Sequence, residues 1–329
     1  MNTEYFNDKS ILITGGTGSF GQNCVRTLLE KTKCPRVVVF SRDELKQSQM
    51  LTTFAQYDDR LRFFLGDVRD PKRLERAFHG VDCVIHAAAL KQVPLLEYNP
   101  FEAVQTNVVG TQNVINAAID TGVEKVLLIS TDKAANPANL YGATKLCAER
   151  LSVSSNFFSG GQTKFSAVRY GNVLGSRGSL LKLVEEQRKT GEVLLTHEDM
   201  TRFWITLDQG VELVLNSLEK MIGGEIFIPK IPSMRVKDLL GVLAPECKMK
   251  IIGIRPGEKL HEVLITVEEA PHSVELEITY VICPEFTFGK DLVSKIGGKP
   301  LEKGFSFTSD KNTKWFDEAG LREVLATIK

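Results

Sequence analysis

Apolar residues fall in short unbroken runs through the first half of the chain, at 11–14, 37–40, 63–65, 83–86, 126–129 and 165–169. Runs of this length without polar alternation are how strands buried on both faces of a parallel sheet read. Longer stretches with helical spacing lie between them, at 20–29, 44–54, 72–78, 102–118 and 141–157. Strand–helix alternation of this kind predicts an α/β fold, a doubly wound parallel sheet. Past residue 172 the pattern loosens, and Gly175, Gly178, Gly191, Gly223, Gly224, Pro229, Pro232, Pro245, Pro256, Pro271 and Pro284 punctuate it. A helix at 207–221 and a strand at 225–228 fit a return to the main sheet. Short strands at 251–254 and 280–283 and short helices at 236–243 and 319–328 predict a smaller C-terminal α/β lobe laid over one sheet edge. The expected division is a nucleotide-binding domain over 1–171, rejoined by 203–228, and a substrate lobe made of 172–202 and 229–329.

Composition narrows the class. At 329 residues the chain has room for two domains of roughly 100–200 residues each. Forty-one basic residues balance forty-one acidic ones, which argues against a nucleic-acid binder whose affinity rests on general positive charge. A local phosphate site needs only a few donors and stays open. No apolar run approaches the ~18 residues of a membrane span, and the polar, acid-bearing start is no signal peptide. Cys24, Cys34, Cys83, Cys147, Cys247 and Cys283 are scattered without a CxxC, fitting neither a disulfide framework nor a zinc site. The expectation is a reduced, cytoplasmic protein with no membrane or nucleic-acid partner and no metal.

The run at 11–14 leads into Gly15-Gly16-Thr17-Gly18-Ser19-Phe20-Gly21. Glycines at this spacing allow a tight turn and close approach of backbone to a pyrophosphate, whose charge then sits at a helix N-terminus. A dinucleotide is therefore expected against Gly15, Thr17, Gly18, Ser19, Phe20 and Gly21; an ordinary helix-start loop is the bland alternative. At the end of the second run, where an acid commonly accepts from a ribose 2′-hydroxyl, stands Ser41, followed by Arg42 and, one turn on, Lys46. A hydroxyl and two cations suit a 2′-phosphate, so NADP is favoured over NAD. The competing possibility leaves Arg42 and Lys46 solvated and gives the ribose to Asp43. Asp67 and Val68 end the third run near the expected adenine. Ala87 and Ala88 after His86 offer small side chains against the cofactor, with Lys91 within reach of cofactor or substrate.

The fifth run leads into Ser130-Thr131-Asp132-Lys133, and Tyr141 and Lys145 follow at i and i+4 on one face of a helix. An ammonium beside a phenol lowers its pKa, and it can also hydrogen-bond a nicotinamide ribose. YxxxK alone is a weak signal; its place just after a strand end in a dinucleotide-type sheet strengthens it.

TGGTGSFG, HAAALK, STDKA and YGATK together resemble the extended short-chain dehydrogenase/reductases, a Rossmann-fold family with a Ser/Thr–Tyr–Lys centre. STDKAANPANLYGATK, RYGNVLGSRGS, MTRFWIT and IRPGEKLHE are similar to the inverting UDP-N-acetylglucosamine 4,6-dehydratases of the pseudaminic acid pathway, over about residues 9–262 and again near Trp315. The resemblance implies a catalytic set of Thr131, Asp132, Lys133, Tyr141 and Lys145. On that pattern Tyr141 would take the C4 hydroxyl proton, the bound NADP+ supplying the hydride acceptor; the ketone would acidify C5–H, and water would leave across C5–C6. Retaining dehydratases carry Asp-Glu where this chain has Asp132-Lys133, and the inverting pattern assigns Lys133 as C5 base and Asp132 as C6 acid. Lys133 would then need a lowered pKa and Asp132 a raised one, or a proton shared between them. A structural ion pair is the alternative.

The same resemblance places the nucleotide sugar against Lys91, Asn172, Val173, Arg177, Gly178, Ser179, Arg202, Arg255, Glu258 and Asn312, with Asn172 also near the cofactor. Arg202 and Arg255 are the candidate phosphate cations. UDP-N-acetylglucosamine is the expected substrate and a homo-oligomer the expected assembly. A UDP-sugar 4-epimerase needs the nucleotide sites, Tyr141 and Lys145 but has no elimination for Asp132 and Lys133. A non-catalytic NADP-sensing regulator is the third possibility. Phe203 and Trp204 are expected to pack rather than stack on a base, and His86 to be a core residue.

Overall fold

The computed structural model describes residues 2–176, 180–284 and 289–328. Six parallel strands form its centre: β1 (Ser10–Thr14), β2 (Arg36–Ser41), β3 (Leu61–Leu65), β4 (Cys83–His86), β5 (Lys125–Ile129) and β6 (Lys164–Val168). Their order across the sheet is β3-β2-β1-β4-β5-β6. The chain steps outward from β1 through β2 to β3, then crosses back to lay β4 on the other side of β1. That reversal opens a crevice beyond the C-terminal ends of β1 and β4, where ligands bind in such sheets.

Why these runs become strands is visible in how their side chains divide. Ile11, Ile13, Val37, Val39, Cys83 and Ile85 pack into one core, while Leu12, Val38, Phe40 and Val84 pack into a second on the opposite face. Alternate residues point to opposite faces, so only an unbroken apolar run satisfies both. The flanking helices begin on side-chain caps. Asp43 accepts from the Lys46 amide at the start of Glu44–Thr53, Asp70 caps Pro71–Phe78 with proline in the first turn, and Asn139 accepts from the Gly142 amide at the start of Leu140–Ser154.

Several elements differ from the sequence expectation. The helix expected at 102–118 begins at Pro100–Ala103, widens into a π-helical stretch over Val104–Val109 and continues as Gly110–Thr121. The wide turns serve the loop after β4: the Asn107 amide side chain bonds the backbone of Leu90 through both its oxygen and its nitrogen. The strand expected at 251–254 is Lys248–Ile251, parallel to Glu192–Leu195. Residues 203–206 do not rejoin the main sheet. They belong to Thr201–Thr206, the middle strand of a separate three-stranded sheet between Asn172–Leu174 and Ser233–Arg235.

The return to the main sheet begins with the helix Leu207–Lys220, started by a Thr206–Gln209 capping box, and ends with Ile226–Pro229 parallel to β6. The C-terminal part does more than lie over an edge. Thr279–Ile282, Ser273–Glu275 and the short Lys299–Pro300 extend the sheet antiparallel, so the apolar strand Ile226–Pro229 is not left as an unpaired edge. The remaining lobe has small cores of its own, one around Val193, Leu195 and Leu240 and one around Trp204, Leu239 and Leu321.

Candidate active site

A cavity of about 650 Å³ runs along the crevice from the end of β2 past β1 and β4 to β5. At its floor β1 turns through Gly15, at φ +67°, where a Cβ would stand 2.9 Å from the backbone of Ala88. A Cβ on Gly21 would come within 2.5 Å of Gly16. Both glycines are therefore required by close backbone approach. The helix Ser19–Lys31 then starts at Gly18, which has no side chain with which to cap it. Its N-terminus presents amides and positive dipole to the cavity, a cradle suited to a pyrophosphate.

At the β2 end, Ser41 and Thr17 share a 2.6 Å hydroxyl–hydroxyl bond. Asp43 pairs with Lys46. Arg42 donates to Asp67 at 3.2 Å, and Arg69 binds the same carboxylate at 2.8 Å. Burial pushes Asp67 upward, but the hydrogen bonds from Arg69 and the charge of Arg42 outweigh it and hold the carboxyl below its usual range. His86 is enclosed between Thr14 (2.7 Å) and Thr111 (3.0 Å), and burial pushes it down to about 3, so it is a neutral core residue.

At the other end, β5 leads into a single 3-10 turn, Asp132–Ala134, capped by Thr131. The Leu140–Ser154 helix begins directly against this turn. A Cβ on Gly142 would meet the Lys133 carbonyl oxygen at 2.2 Å, so the residue after Tyr141 has to be glycine for the two to touch. Lys145, one turn on, donates to the Ile129 carbonyl at 2.6 Å. Burial pushes Lys145 down to about 8 against the pull of Glu149. Tyr141 departs from expectation. Burial pushes its phenol up to about 12; Lys133, not Lys145, is the cation acting against it, helped by Thr131. Lys145 lies against the β5 carbonyl instead.

Asp132 is wholly buried; its Oδ1 accepts from Thr131 at 3.0 Å and from Lys133 Nζ at 2.9 Å. Lys133 is partly open to the cavity and also faces Glu262 at 3.5 Å. The sequence expectation of a lowered Lys133 is reversed. Burial lowers it, but the charges of Asp132 and Glu262 together outweigh burial and raise it. Asp132 is raised, chiefly by burial, with Glu262 adding to the effect. The pair therefore holds a proton tightly between its two members.

Every residue assigned above to the cofactor lines this cavity, together with Thr131, Lys133 and Val173; Asp132 sits behind Lys133. Sequence reasoning missed Thr106, Gln92, Ser130 and Tyr170 on the wall. Thr106 Oγ1, Ser130 Oγ, Asn172 Oδ1 and Trp204 Nε1 are buried, line the cavity and have no hydrogen-bond partner among the described residues. Orphaned polar atoms converging on one hollow call for a polar ligand. With the glycine cradle, they fit a dinucleotide cofactor and a polar substrate.

Four assigned substrate residues are not brought to the wall. Arg202 donates to the carbonyls of Thr201, Lys259 and Leu260 and pairs with Glu262 at 3.6 Å. Asn312 is buried and donates to Ile231 and Ser233. Arg255 and Glu258 form an exposed turn, 4.0 Å apart, docked through Gly257 onto Asn139. Arg177, Gly178 and Ser179 lie outside the described residues. Phe203 packs on Phe307, and Trp204 is buried at the cavity wall. His261 bonds Thr201 at 2.8 Å, and among the described residues no cluster has the makings of a metal site.

Comparison with known proteins adds the family. Residues 11–284 match the family described as polysaccharide biosynthesis protein. A Campylobacter jejuni protein named UDP-N-acetylglucosamine 4,6-dehydratase (inverting) is 50% identical over 97% of this chain and 98% of its own length. A Methanocaldococcus jannaschii relative, 52% identical over 99% of this chain and 98% of its own, is named an uncharacterized membrane protein. Among the described residues here, no helix is long and apolar enough to cross a membrane. A Rickettsia conorii protein named UDP-glucose 4-epimerase is 39% identical over 98% of this chain and 97% of its own. Of solved structures, Pen from Bacillus thuringiensis superposes with a TM-score of 0.89 at 37% identity, covering 98% of both chains. DesIV from Streptomyces venezuelae, a dTDP-glucose 4,6-dehydratase with NAD and TYD bound, superposes at 0.68 over 76% of this chain and 86% of its own; at 24% identity it speaks for the fold alone.

Proposed function

The chain belongs to the polysaccharide biosynthesis protein family, on the short-chain dehydrogenase/reductase fold, and from that premise we propose that it is an inverting UDP-N-acetylglucosamine 4,6-dehydratase working with NADP. One observation carries the reading: Lys133, ion-paired to the buried Asp132 behind it, lines the same cavity as Tyr141 and Lys145. An oxidoreductase needs only the latter two; an elimination needs an acid and a base as well.

The cradle at Gly15–Gly21, the Ser41–Lys46 corner and Lys145 would hold the cofactor. When bound, a nicotinamide dinucleotide supplies the hydride acceptor for C4 and the donor for C6. Tyr141 takes the C4 hydroxyl proton, with Thr131 and the Lys133 charge favouring phenolate. Once C4 is a ketone, C5–H is acidic. Lys133 takes that proton, the C5–H electrons form the C5=C6 bond, the C6–O bond breaks, and Asp132 protonates the departing oxygen. Water leaves, and the pair's proton count is unchanged: one proton gained on nitrogen, one lost from oxygen. The pair must enter the step as amine and carboxylic acid, the tautomer of its resting ion pair, and burial narrows the gap between the two forms. The choice of NADP over NAD follows from Ser41, Arg42 and Lys46, which would offer a hydroxyl and two cations to a 2′-phosphate. The product fits surface-glycan synthesis through pseudaminic acid in the cytoplasm. Exposed Leu95, Tyr98 and Phe101 on neighbouring short helices support a homo-oligomer.

The epimerase reading draws on the Rickettsia relatives but leaves Asp132 and Lys133 without a task. Incubation with UDP-N-acetylglucosamine in D2O, followed by proton NMR, separates the two. A C6 methyl signal with deuterium at C5 is expected. An intact C6 methylene with C4 inverted makes the chain an epimerase, and no turnover despite tight NADP binding makes it a sensor.

A further inference from the structure

Glu262 lies far along the sequence from the catalytic turn, yet the fold carries it to Lys133. Its backbone is pinned by the Ser309 hydroxyl, which accepts from the Glu262 amide at 2.9 Å and itself pairs with Thr201 at 2.6 Å. The side chain is almost wholly buried and meets three cations from three elements: Lys133 at 3.5 Å, Lys259 at 3.5 Å and Arg202 at 3.6 Å. Arg202 is itself fixed by three backbone carbonyls, and Lys259 by the Ala135 carbonyl at 2.7 Å. Glu262 is thus held on a rigid mount with one face toward the catalytic ammonium. Two buried carboxylate oxygens in this cluster, Asp132 Oδ2 and Glu262 Oε2, have no hydrogen-bond donor among the described residues. Such atoms are costly to keep unless a function uses them.

We propose that Glu262 is a positioning residue for the dehydration: from across Lys133, its fixed carboxylate keeps a proton resident on the Asp132–Lys133 pair, so that Asp132 has one to give to the C6 oxygen. The proposal rests on the dehydratase reading. Its physical content is like-charge repulsion between two carboxylates sharing one ammonium, which raises the proton affinity of Asp132. Glu262 plays that part because Lys133, Arg202 and Lys259 together outweigh its burial and hold its carboxyl below the usual range. The other charged and titratable groups around the pair are Lys91, from the loop after β4, which is coupled to Lys133, and Tyr141 from the catalytic helix. Both cationic lysines and Arg202 act against the proton; of the surrounding groups with a settled charge, Glu262 acts for it.

The test follows the Asp132 carboxyl by carbon-13 NMR in the full-length protein, alongside the pH profile of kcat. Glu262→Gln is expected to move the Asp132 midpoint down by about one pH unit, tenfold in proton affinity. The whole kcat profile should move toward acid with it, with KM nearly unchanged. Glu262→Asp, which keeps the charge, should restore most of the midpoint. Lys259→Met removes a cation facing Glu262 and should move the Asp132 midpoint the opposite way; this arm stands if the glutamine variant does not fold. An Asp132 midpoint that stays in place in both Glu262→Gln and Lys259→Met overturns the proposal. So does a uniform loss of kcat at every pH, which is what mere structural support predicts. A wild-type protein that forms no methyl product overturns the dehydratase reading instead, while the NMR midpoint still reports on Glu262.

Discussion

Two buried charge clusters lie close together in this chain and are built on opposite principles. In one, Arg169 at the end of β6 is wholly enclosed between Glu149 and Glu269. Its guanidinium makes two bonds to Glu149 (3.0 and 2.6 Å), two to Glu269 (2.9 and 2.8 Å) and one to the Leu264 carbonyl (2.9 Å). Each donor has an acceptor. In the other, Lys133 makes one hydrogen bond to Asp132 and longer contacts to Glu262, and a carboxylate oxygen on each acid has no hydrogen-bond partner among the described residues. Burial raises the cost of both, but only the first is repaid in full geometry. A closed cluster fixes elements in place: Glu149 sits one helical turn after Lys145, so Arg169 ties the Leu140–Ser154 helix to the C-terminal lobe that carries Glu262. An open cluster beside a cavity leaves acceptor oxygens unused, with room for a further proton or ligand donor. The contrast separates a clamp from a cluster with the makings of an acid–base site.

The largest break in the comparison is expected from Lys133→Ala. Loss of a positioned acid–base group costs about 10²–10⁴-fold in rate. Dehydration read by the C6 methyl signal should fall by that order, while thermal stability falls less than in Arg169→Ala, since Glu262 keeps Arg202 and Lys259 and Asp132 can take up a proton. Turnover near wild type would take Lys133 out of the mechanism. Arg169→Ala should do the reverse. Removing one partner from a buried cluster leaves Glu149 and Glu269 uncompensated and costs about 3–5 kcal/mol of stability. Denaturant unfolding measures it, and a change under 1 kcal/mol would show that the clamp does not hold the lobe. Gly142→Ala comes next. A methyl 2.2 Å from the Lys133 carbonyl oxygen must push the helix off the Asp132–Ala134 turn, costing about 1–3 kcal/mol of the kind seen in overpacked contacts. Its signature is loss of both stability and rate, and a rate loss alone would place the strain elsewhere.

How much of this contrast was legible beforehand follows from distance along the chain. The glycine turn, the six central strands and the Tyr141–Lys145 pair are local patterns, and they read directly because a short window contains the whole physical reason. Asp132 and Lys133 are also adjacent. Glu262 and Arg169 were not legible as cluster members, because a charge in a window looks solvated until the fold brings its partner. Arg202 reads as a phosphate cation for the same reason: the carbonyls of Lys259 and Leu260 that occupy it come from another segment. The strand over Lys248–Ile251 and the π-helical Val104–Val109 were displaced or missed because tertiary contacts, not local propensity, set them.

The smallest expected effect tests the open end of the cavity, where charges are exposed and water screens them. Arg42 is about half exposed and already pairs with Asp67 at 3.2 Å. A 2′-phosphate would draw its guanidinium away from that carboxylate, so the net gain is the difference between two ion pairs, on the order of 1 kcal/mol at such a site. Arg42→Ala should therefore weaken NADP by several-fold while leaving NAD nearly unchanged, measured by titration of each cofactor into the protein. The salt dependence should fall with it, because an exposed pair is the kind that ions screen. Equal weakening of both cofactors would mean that Arg42 supports the loop through Asp67 rather than reading the phosphate. The ribose would then belong to Asp43, whose carboxylate also caps the helix Glu44–Thr53.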